Sequence, residues 1–216
     1  WTSSRDLHHL CWVAHDISGR CPGVAPCVWR GIALFFHRPP EPVIFVIGGR
    51  RGPVSEPCAD VHFLARQSLW VTTGSLSVPR SGAAAAAVDG IVYVLGGCLD
   101  GATQQVTGAV ERYDPYTGQW TSVAPMPRPR YRFSAAAVGT QIWVAGGSDA
   151  GGRDLASVDV YCTERDAWQP GPTMLHERTG LQLVYHGDRL YAAGGYCREQ
   201  GLLGSVEMLR VGPGAG

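Results

Sequence analysis

Lysine and asparagine are absent from the sequence, and all 18 basic residues are arginine. Without lysine there is no Schiff-base chemistry, no Walker phosphate loop and no kinase lysine. Without asparagine there is no acceptor for N-glycosylation. The motifs Gly-x-Ser-x-Gly, His-Glu-x-x-His and Gly-x-Gly-x-x-Gly are also missing. The sequence therefore predicts neither an enzyme nor a cofactor.

The charge and cysteine content exclude further classes. Net charge is zero, which argues against nucleic acid and membrane surfaces as partners. No apolar run of about 18 residues occurs, so we expect no transmembrane helix. The seven cysteines are odd in number and form no CxxC pair, which indicates reduced thiols. Because no secretory segment is visible, the sequence predicts a cytoplasmic protein. The missing initiator Met predicts a piece of a longer protein.

A repeat of about 50 residues runs through most of the chain. Pairs of glycines end short apolar runs at 48–49, 96–97, 146–147 and 194–195, which are 48, 50 and 48 residues apart. Aromatic and basic residues keep the same register: Phe63, Tyr113 and Tyr161; Trp70, Trp120 and Trp168; Arg80, Arg130 and Arg178. A period of this length, with four short strands in each unit, is typical of a β-propeller blade.

Each recurring residue has a predicted structural role. The glycine pairs should adopt positive φ where the second strand ends. Each Trp should pack between neighbouring blades. The arginines should form framework ion pairs with buried acids, for which the candidates are Glu111, Asp159 and Glu207.

These markers resemble kelch repeats over residues 43–216. The run Val110-Glu111-Arg112-Tyr113-Asp114-Pro115, followed by Trp120, resembles in particular the kelch-like adaptors that carry BTB, BACK and kelch domains. The resemblance implies an all-β, partial propeller of four-stranded antiparallel kelch blades, with about 3.6 of an expected six present. It also implies the substrate-recognition part of a cullin-RING ubiquitin ligase, with the cullin bound through upstream domains outside this chain.

The repeat register divides the chain. Residues 1–42 carry no clear marker and are interpreted as a linker or an upstream segment, with a degenerate first strand at Arg30, Leu34 and Phe35 as the alternative. His8, His9, Cys11 and His15 cluster there, but too few partners follow to predict a metal site. The predicted blades are 43–79 without a first strand, 80–127, 128–175, and 176–216 without a fourth strand.

The topology also predicts a recognition face. In an antiparallel meander, the end of the second strand and the start of the first lie on the same side. The segments after each glycine pair should therefore lie beside the segments after each recurring arginine, and they differ between repeats, as recognition loops do. In kelch-like adaptors these positions contact the substrate peptide, and the matching residues here are Arg50, Ser81, Cys98, Tyr131, Arg132, Ser148, Thr179 and Tyr196.

The predicted ligand is a protein substrate presenting an acidic or phosphorylated peptide, because the residues closest to the repeat markers include Arg50, Arg51, Arg132 and Arg198. The acids expected on the same face, Asp100, Asp149 and Glu199, lie further along or can pair with a neighbouring arginine. Two alternatives stay open. One is a kelch scaffold or actin-binding protein with no role in ubiquitination. The other is a copper radical oxidase, which the scattered His62, His176 and His186 do not favour.

Overall fold

The computed structural model describes residues 11–12, 32–38, 41–51, 56–65, 69–100 and 105–212. Its regular elements are β-strands, numbered here in chain order, and they form four successive antiparallel sheets that we call blades 1 to 4. None of the described segments forms a helix of the length and hydropathy that membrane crossing requires.

Blade 1 differs from its prediction. Its sheet order is β1-β2-β3-β6-β7, and the strands are β1 (Cys11–Trp12), β2 (Ile32–Arg38), β3 (Glu41–Ile47), β6 (Asp60–Ala65) and β7 (Leu69–Ser75). Strand β2 pairs with β3 from Ile32↔Ile47 to Arg38↔Glu41, which is the place of a first strand. The prediction that blade 1 begins at residue 43 without a first strand is therefore wrong, and the alternative first strand at Leu34 and Phe35 is the one that the structure contains. A short hairpin of β4 (Arg50–Arg51) and β5 (Glu56–Pro57) follows the glycine pair.

Blades 2 and 3 have the predicted four strands. Blade 2 contains β8 (Ala84–Val88), β9 (Ile91–Leu95), β10 (Val110–Asp114) and β11 (Gln119–Val123) in that order. Blade 3 contains β12 (Ser134–Val138), β13 (Gln141–Ala145), β14 (Val158–Cys162) and β15 (Ala167–Pro170), also in sequence order. The first-to-second-strand turns carry positive-φ residues, including Gly90 at 83° and Gly139 at 58°.

Three strands form the described part of blade 4. They are β16 (Gln182–His186), β17 (Arg189–Ala193) and β20 (Val206–Arg210), with a hairpin of β18 (Tyr196–Cys197) and β19 (Gly201–Leu202) inserted after the glycine pair. A fourth strand would follow at residues 213–216, which lie outside the described residues. The predicted lack of this strand stays a prediction.

The hydrophobic cores lie between blades. The first strands of neighbouring blades contact one another, β2 against β8, β8 against β12 and β12 against β16, and therefore stand closest to the axis. Small residues permit this approach: Ala85 and Ala135 are 0% and 2% exposed. One core joins blades 1 and 2, a second joins blades 2 and 3, and a third joins blades 3 and 4. The described fold is thus a partial propeller in which each blade is stabilised by its neighbours.

Candidate functional site

The recurring arginines form the framework beneath the candidate site, as predicted. Arg130 is fully buried, and its Nη1 donates to the carbonyls of Gly146 and Ser157, both at 3.0 Å. Its Nη2 forms an ion pair with the Asp159 carboxylate. Arg80 and Arg178 make equivalent contacts, with Glu111 and Glu207 as the paired acids. Each arginine therefore ties the entry of its blade to the glycine pair and to the third strand.

The backbone of the same arginines joins one blade to the next. The second glycine of each preceding blade donates its N–H to an arginine carbonyl: Gly49 to Arg80 at 3.0 Å, Gly97 to Arg130 at 3.0 Å, and Gly147 to Arg178 at 2.7 Å. A Cβ on Gly146 would lie 2.4 Å from the Arg178 carbonyl oxygen, and φ is +68° there. The glycine pair is thus required both for its backbone conformation and for this close approach.

The segments after the glycine pairs and after the arginines lie side by side, as the topology predicted. Reciprocal backbone hydrogen bonds of 2.8–3.0 Å join three pairs of residues: Ser81 with Cys98, Tyr131 with Ser148, and Thr179 with Tyr196. Arg50 reaches the same row from blade 1, because its Nε donates to the Ser81 hydroxyl at 3.1 Å. We call the surface formed by these eight predicted residues, with Arg132 among them, the variable-loop face.

Four of the eight predicted site residues have buried side chains that a ligand cannot reach. Ser81, Cys98 and Ser148 are 4%, 2% and 4% exposed, and Thr179 is also buried. The Ser148 hydroxyl, for example, is bonded to the Asp154 carboxylate and to the Thr179 hydroxyl, at 3.1 Å and 3.0 Å. The side chains with accessible surface are Arg50, Tyr131, Arg132 and Tyr196. The backbone β-bridges that bring these residues together also bury the smaller side chains.

Arg132 has an unusual backbone conformation. Its φ is +54°, in the left-handed region, where the equivalent residues of blades 2 and 4 are Gly82 and Gly180. These three positions form a chain of backbone bonds across the blades, because Arg132 N donates to Gly82 O and Gly180 N donates to Arg132 O, both at 2.7 Å. A non-glycine residue held in this region costs on the order of 1–3 kcal/mol. The exposed guanidinium lies 5.5 Å from the centre of the Tyr131 ring.

Acids on the variable-loop face are engaged within their own loops. Asp149 accepts bonds from the backbone N–H groups of Gly151 and Arg153 and from the Arg153 Nε, at 2.9–3.0 Å. The Arg153 backbone bond contributes most to lowering the pKa of Asp149, which stays ionised and locally paired. The Asp149 charge is therefore largely balanced by Arg153 before any ligand arrives.

Asp154 was not predicted as part of the site. Its second carboxylate oxygen accepts the Arg198 backbone N–H at 2.8 Å, and the Arg198 Nη2 donates to the Gly152 carbonyl at 2.8 Å. Arg198 was predicted to face the ligand. In the structure its backbone and side chain instead join the loops of blades 3 and 4. The only sequence signal was the position of Asp154, six residues after Ser148 in a loop that differs from its repeats.

Metal-ligand residues do not gather in the described part of the chain, where no group of three or more His, Cys, Asp or Glu side chains could hold an ion. The predicted candidates His8, His9 and His15, and the Cys11 side chain, lie outside the described residues. The Arg51 side chain, predicted to face the ligand, is also outside the description.

Four-stranded blades, glycine pairs at the ends of second strands and an arginine joint between blades together define a β-propeller of the repeat type. The family model described as the KLHDC2/KLHL20/DRC7 Kelch-repeats domain matches residues 3–195, and the chain belongs to the kelch-repeat family. The match also covers most of residues 1–42, where the sequence markers predicted no repeat.

Several curated relatives are similar to the chain. Beta-scruin of Limulus polyphemus is 33% identical over 74% of the chain and 18% of its own length. Human Kelch repeat and BTB domain-containing protein 12 is 30% identical over 71% of the chain and 28% of its own length. Human Kelch-like protein 38 is 27% identical over 92% of the chain and 35% of its own length. The chain thus spans about a third or less of these relatives.

Proposed function

We propose that the chain is a protein-binding kelch module whose variable-loop face recognises an acidic or phosphorylated peptide. The observation that carries this proposal is the left-handed backbone conformation of Arg132. The neighbouring repeats have glycine at this position, Gly82 in blade 2 and Gly180 in blade 4. Strain of this kind persists where the surrounding structure enforces it, and it clusters at functional sites. Its exposed guanidinium offers the planar, two-pronged donor set that matches a carboxylate or a phosphate.

The charge balance of the face supports an anionic ligand. Arg50 is half-buried, and among the described residues its guanidinium bonds to one side chain, the Ser81 hydroxyl; Arg132 is exposed beside the Tyr131 ring. Asp149 is already bonded within its own loop, and Asp154 is bonded to the Ser148 hydroxyl and to the backbone N–H of Arg198 in the neighbouring loop. The uncommitted charge nearest the inner strands is therefore positive, and an aromatic ring beside it offers apolar surface to the peptide.

The larger role that we propose is substrate recognition for a cullin-RING ubiquitin ligase in the cytoplasm, with no chemistry performed by this chain. Its support is the adaptor-like Val110–Pro115 run together with similarity to kelch-like proteins, one of which is named for a BTB domain. In cells that express the complete open reading frame, affinity purification is expected to recover a cullin. Recovery of actin filaments without a cullin would contradict the adaptor and favour a scaffold.

The ligand class is tested on the chain itself with a fluorescent oligoglutamate peptide and an uncharged oligoglutamine counterpart. Arg50→Ala and Arg132→Ala should each weaken oligoglutamate binding by roughly 1.5–3 kcal/mol, the range for a lost charge-assisted contact. Arg189→Ala is the matched control, because Arg189 is exposed in the turn at the opposite end of blade 4, where it pairs with Asp188. Raised salt should weaken binding of the parent chain.

A second variant separates recognition from folding. Arg132→Gly removes the guanidinium and also relieves the left-handed strain, so it should lose binding while its resistance to urea is maintained or increased. Equal binding by Arg132→Gly, Arg132→Ala and Arg189→Ala, with no effect of salt, would rule out the acidic ligand.

A further inference from the structure

A row of three residues crosses blades 2, 3 and 4 on the variable-loop face. Gly82, Arg132 and Gly180 each follow a recurring arginine by two positions, and their φ angles are +61°, +54° and +65°. Two backbone hydrogen bonds of 2.7 Å join them in chain order. Within this row Arg132 is the one residue with a side chain, so the glycines on either side decide how much room that side chain has.

Gly82 lies against the stem of the Arg132 side chain. A Cβ on Gly82 would be 3.3 Å from the Arg132 backbone nitrogen, 3.5 Å from Arg132 Cγ and 3.7 Å from Tyr131 Cβ. A methyl group would barely fit there, and a longer side chain would compete with Arg132 for the same space. Gly180 differs, because a Cβ at that position would have no atom of the described residues within 4 Å.

The Arg132 side chain is supported along its whole length. Its backbone N–H donates to the Gly82 carbonyl, its stem lies on the Gly82 backbone, and its guanidinium is 5.5 Å from the centre of the Tyr131 ring. A long side chain that is already held in place loses less conformational freedom when a ligand binds to it. Two of the three supports involve Gly82, which therefore contributes to the readiness of Arg132 for a ligand.

Arginines from both neighbouring blades approach the entry of blade 2. Arg50 of blade 1 donates its Nε to the Ser81 hydroxyl at 3.1 Å, and Arg132 of blade 3 lies on the next residue, Gly82. Bidentate contact between a guanidinium and a carboxylate or phosphate is directional, so it depends on where the planar group is held. The side chain at position 82 is thus placed to determine whether Arg132 can act together with Arg50.

We propose that Gly82 is a positioning residue for Arg132. The absence of a side chain at Gly82 lets the Arg132 stem lie across the entry of blade 2 and holds its guanidinium on the side of Arg50, where both arginines serve one acidic segment of the ligand. This inference rests on the function proposed above. It goes further by assigning control of anion binding to a glycine of a different blade, which itself offers the ligand no side chain.

The experiment compares two glycine-to-asparagine variants of the full chain in the fluorescent oligoglutamate assay. Asparagine tolerates the left-handed region better than most residues, so backbone strain is kept small. Gly82→Asn should weaken binding about ten-fold, the lower end of the loss expected for Arg132→Ala. Gly139→Asn is the matched control, because φ is +58° there and a Cβ would meet no described atom within 4 Å, in a turn at the opposite end of blade 3. It should bind like the parent chain.

A second comparison separates positioning from folding. In the Arg132→Ala background Gly82 has no guanidinium left to position, so adding Gly82→Asn should cause no further loss of binding. A merely structural role would instead weaken binding by the same factor in both backgrounds. Gly82→Ala is the milder variant that keeps the test open if the asparagine chain does not fold, and it should lose about two-fold relative to Gly139→Ala.

The possible failures are distinguishable. Loss of binding by Arg132→Ala, with Gly82→Asn and Gly139→Asn both equal to the parent, would overturn the positioning role and leave the acidic-peptide face in place. An equal further loss in the Arg132→Ala background would assign Gly82 to the integrity of blade 2 and also overturn the proposal. Parent-like binding by Arg132→Ala would contradict the proposed function itself, and the role of Gly82 with it.

Discussion

At the scale of single residues, the buried arginines combine a large desolvation cost with complete hydrogen bonding. Burial lowers the pKa of Arg130, and the Asp159 carboxylate opposes that shift. The guanidinium remains charged, because arginine does not lose its proton in proteins. Such a pair stabilises little relative to an apolar replacement of both partners, yet removal of one partner leaves a buried charge without compensation. In each of the three repeats, loss of the acid that pairs with the buried arginine should therefore be strongly destabilising.

Asp159→Asn should therefore destabilise the chain by roughly 3–5 kcal/mol, because Arg130 would keep its charge at a fully buried site. The check is the free energy of unfolding from urea titration. Arg128→Ala is the control: Arg128 also contacts Asp159, at 3.3 Å, but its side chain is 49% exposed, and its loss should cost about 1 kcal/mol or less. Similar values for both variants would show that Asp159 is not the partner on which Arg130 depends.

Tyr161 provides a second residue-scale prediction. Burial, with the hydrogen bond that its hydroxyl donates to Asp166 at 2.6 Å, raises the pKa of Tyr161 well above the ordinary tyrosine value. A raised folded-state pKa in an acid gives stability that is present below the unfolded-state pKa and is lost as pH rises toward the folded-state value. Stability should therefore fall as pH rises above the ordinary tyrosine pKa.

Phenolate absorbance during alkaline titration measures this directly. Tyr161→Phe should remove an absorbance step that lies above the ordinary tyrosine pKa, whereas Tyr116→Phe, at a site 68% exposed, is the control and should leave that step in place. Ionisation of Tyr161 at the ordinary tyrosine pKa, in a chain that is still folded, would contradict the assigned environment.

At the scale of strands, the Tyr113–Trp120 and Tyr161–Trp168 pairs pack alike but differ in the hydrogen bonding of the indole. Trp168 donates its Nε1 hydrogen to the Ala124 carbonyl, but the buried Trp120 Nε1 has no hydrogen-bond partner in the described part of the chain. Gly74 lies against the Trp120 indole, so the fourth strand of blade 2 packs directly on the backbone of blade 1. Equivalent repeat positions therefore have different energetic roles.

Trp168→Phe should be more destabilising than Trp120→Phe by about 1–3 kcal/mol. The first leaves the Ala124 carbonyl unpaired, and the second removes an indole N–H that is already unpaired. Trp120→Ala removes the ring altogether and should cost roughly 3–5 kcal/mol, as other large core truncations do. Unfolding free energies of the three variants provide the test, and equal values for the two Phe variants would contradict the assigned hydrogen bond.

The strand pattern was largely predictable from the sequence. The glycine pairs and the recurring aromatic and arginine residues each have one physical role, and they return every 48–50 residues. The first strand of blade 1 was only an alternative in the sequence analysis because its markers are shifted: Arg30 precedes its glycine pair by 18 residues instead of 16, and Pro39-Pro40 stands where blade 2 has Asp89-Gly90. The burial of Ser81, Cys98 and Thr179 depends on bridges between segments far apart in sequence. Periodicity places such residues on a face but does not determine how much of each side chain remains accessible.

At the scale of the whole molecule, blade 4 has an apolar face with no covering blade among the described residues. Cross-strand pairing puts five apolar side chains on it, together with Gln182 and a polar end of His186, Arg189 and Arg210; the five are Val184, Tyr191, Ala193, Val206 and Met208. In blade 3 the equivalent face, which includes Val158 and Val160 at 6% and 2% exposure, is covered by blade 4. An uncovered sheet face of this size promotes association.

The isolated chain should therefore associate at micromolar concentration, and Met208→Glu should shift it toward the monomer because a charge would be placed on the uncovered face. Leu202→Glu is the control, an equal change at an exposed leucine in the hairpin beyond the glycine pair. Analytical ultracentrifugation distinguishes the outcomes. A monodisperse parent chain that unfolds cooperatively would show that this face needs no partner.

The arginine joint has a consequence for how such proteins can diversify. Its inter-blade bond joins a backbone amide to a backbone carbonyl, so any repeat with the glycine pair and the arginine can follow any other. The residues that we propose contact a ligand come one or two positions after that arginine, at Tyr131 and Arg132 in blade 3. Exchange of whole repeats by recombination, or single substitutions beside the joint, can therefore give a lineage new binding preferences while the ring assembles as before.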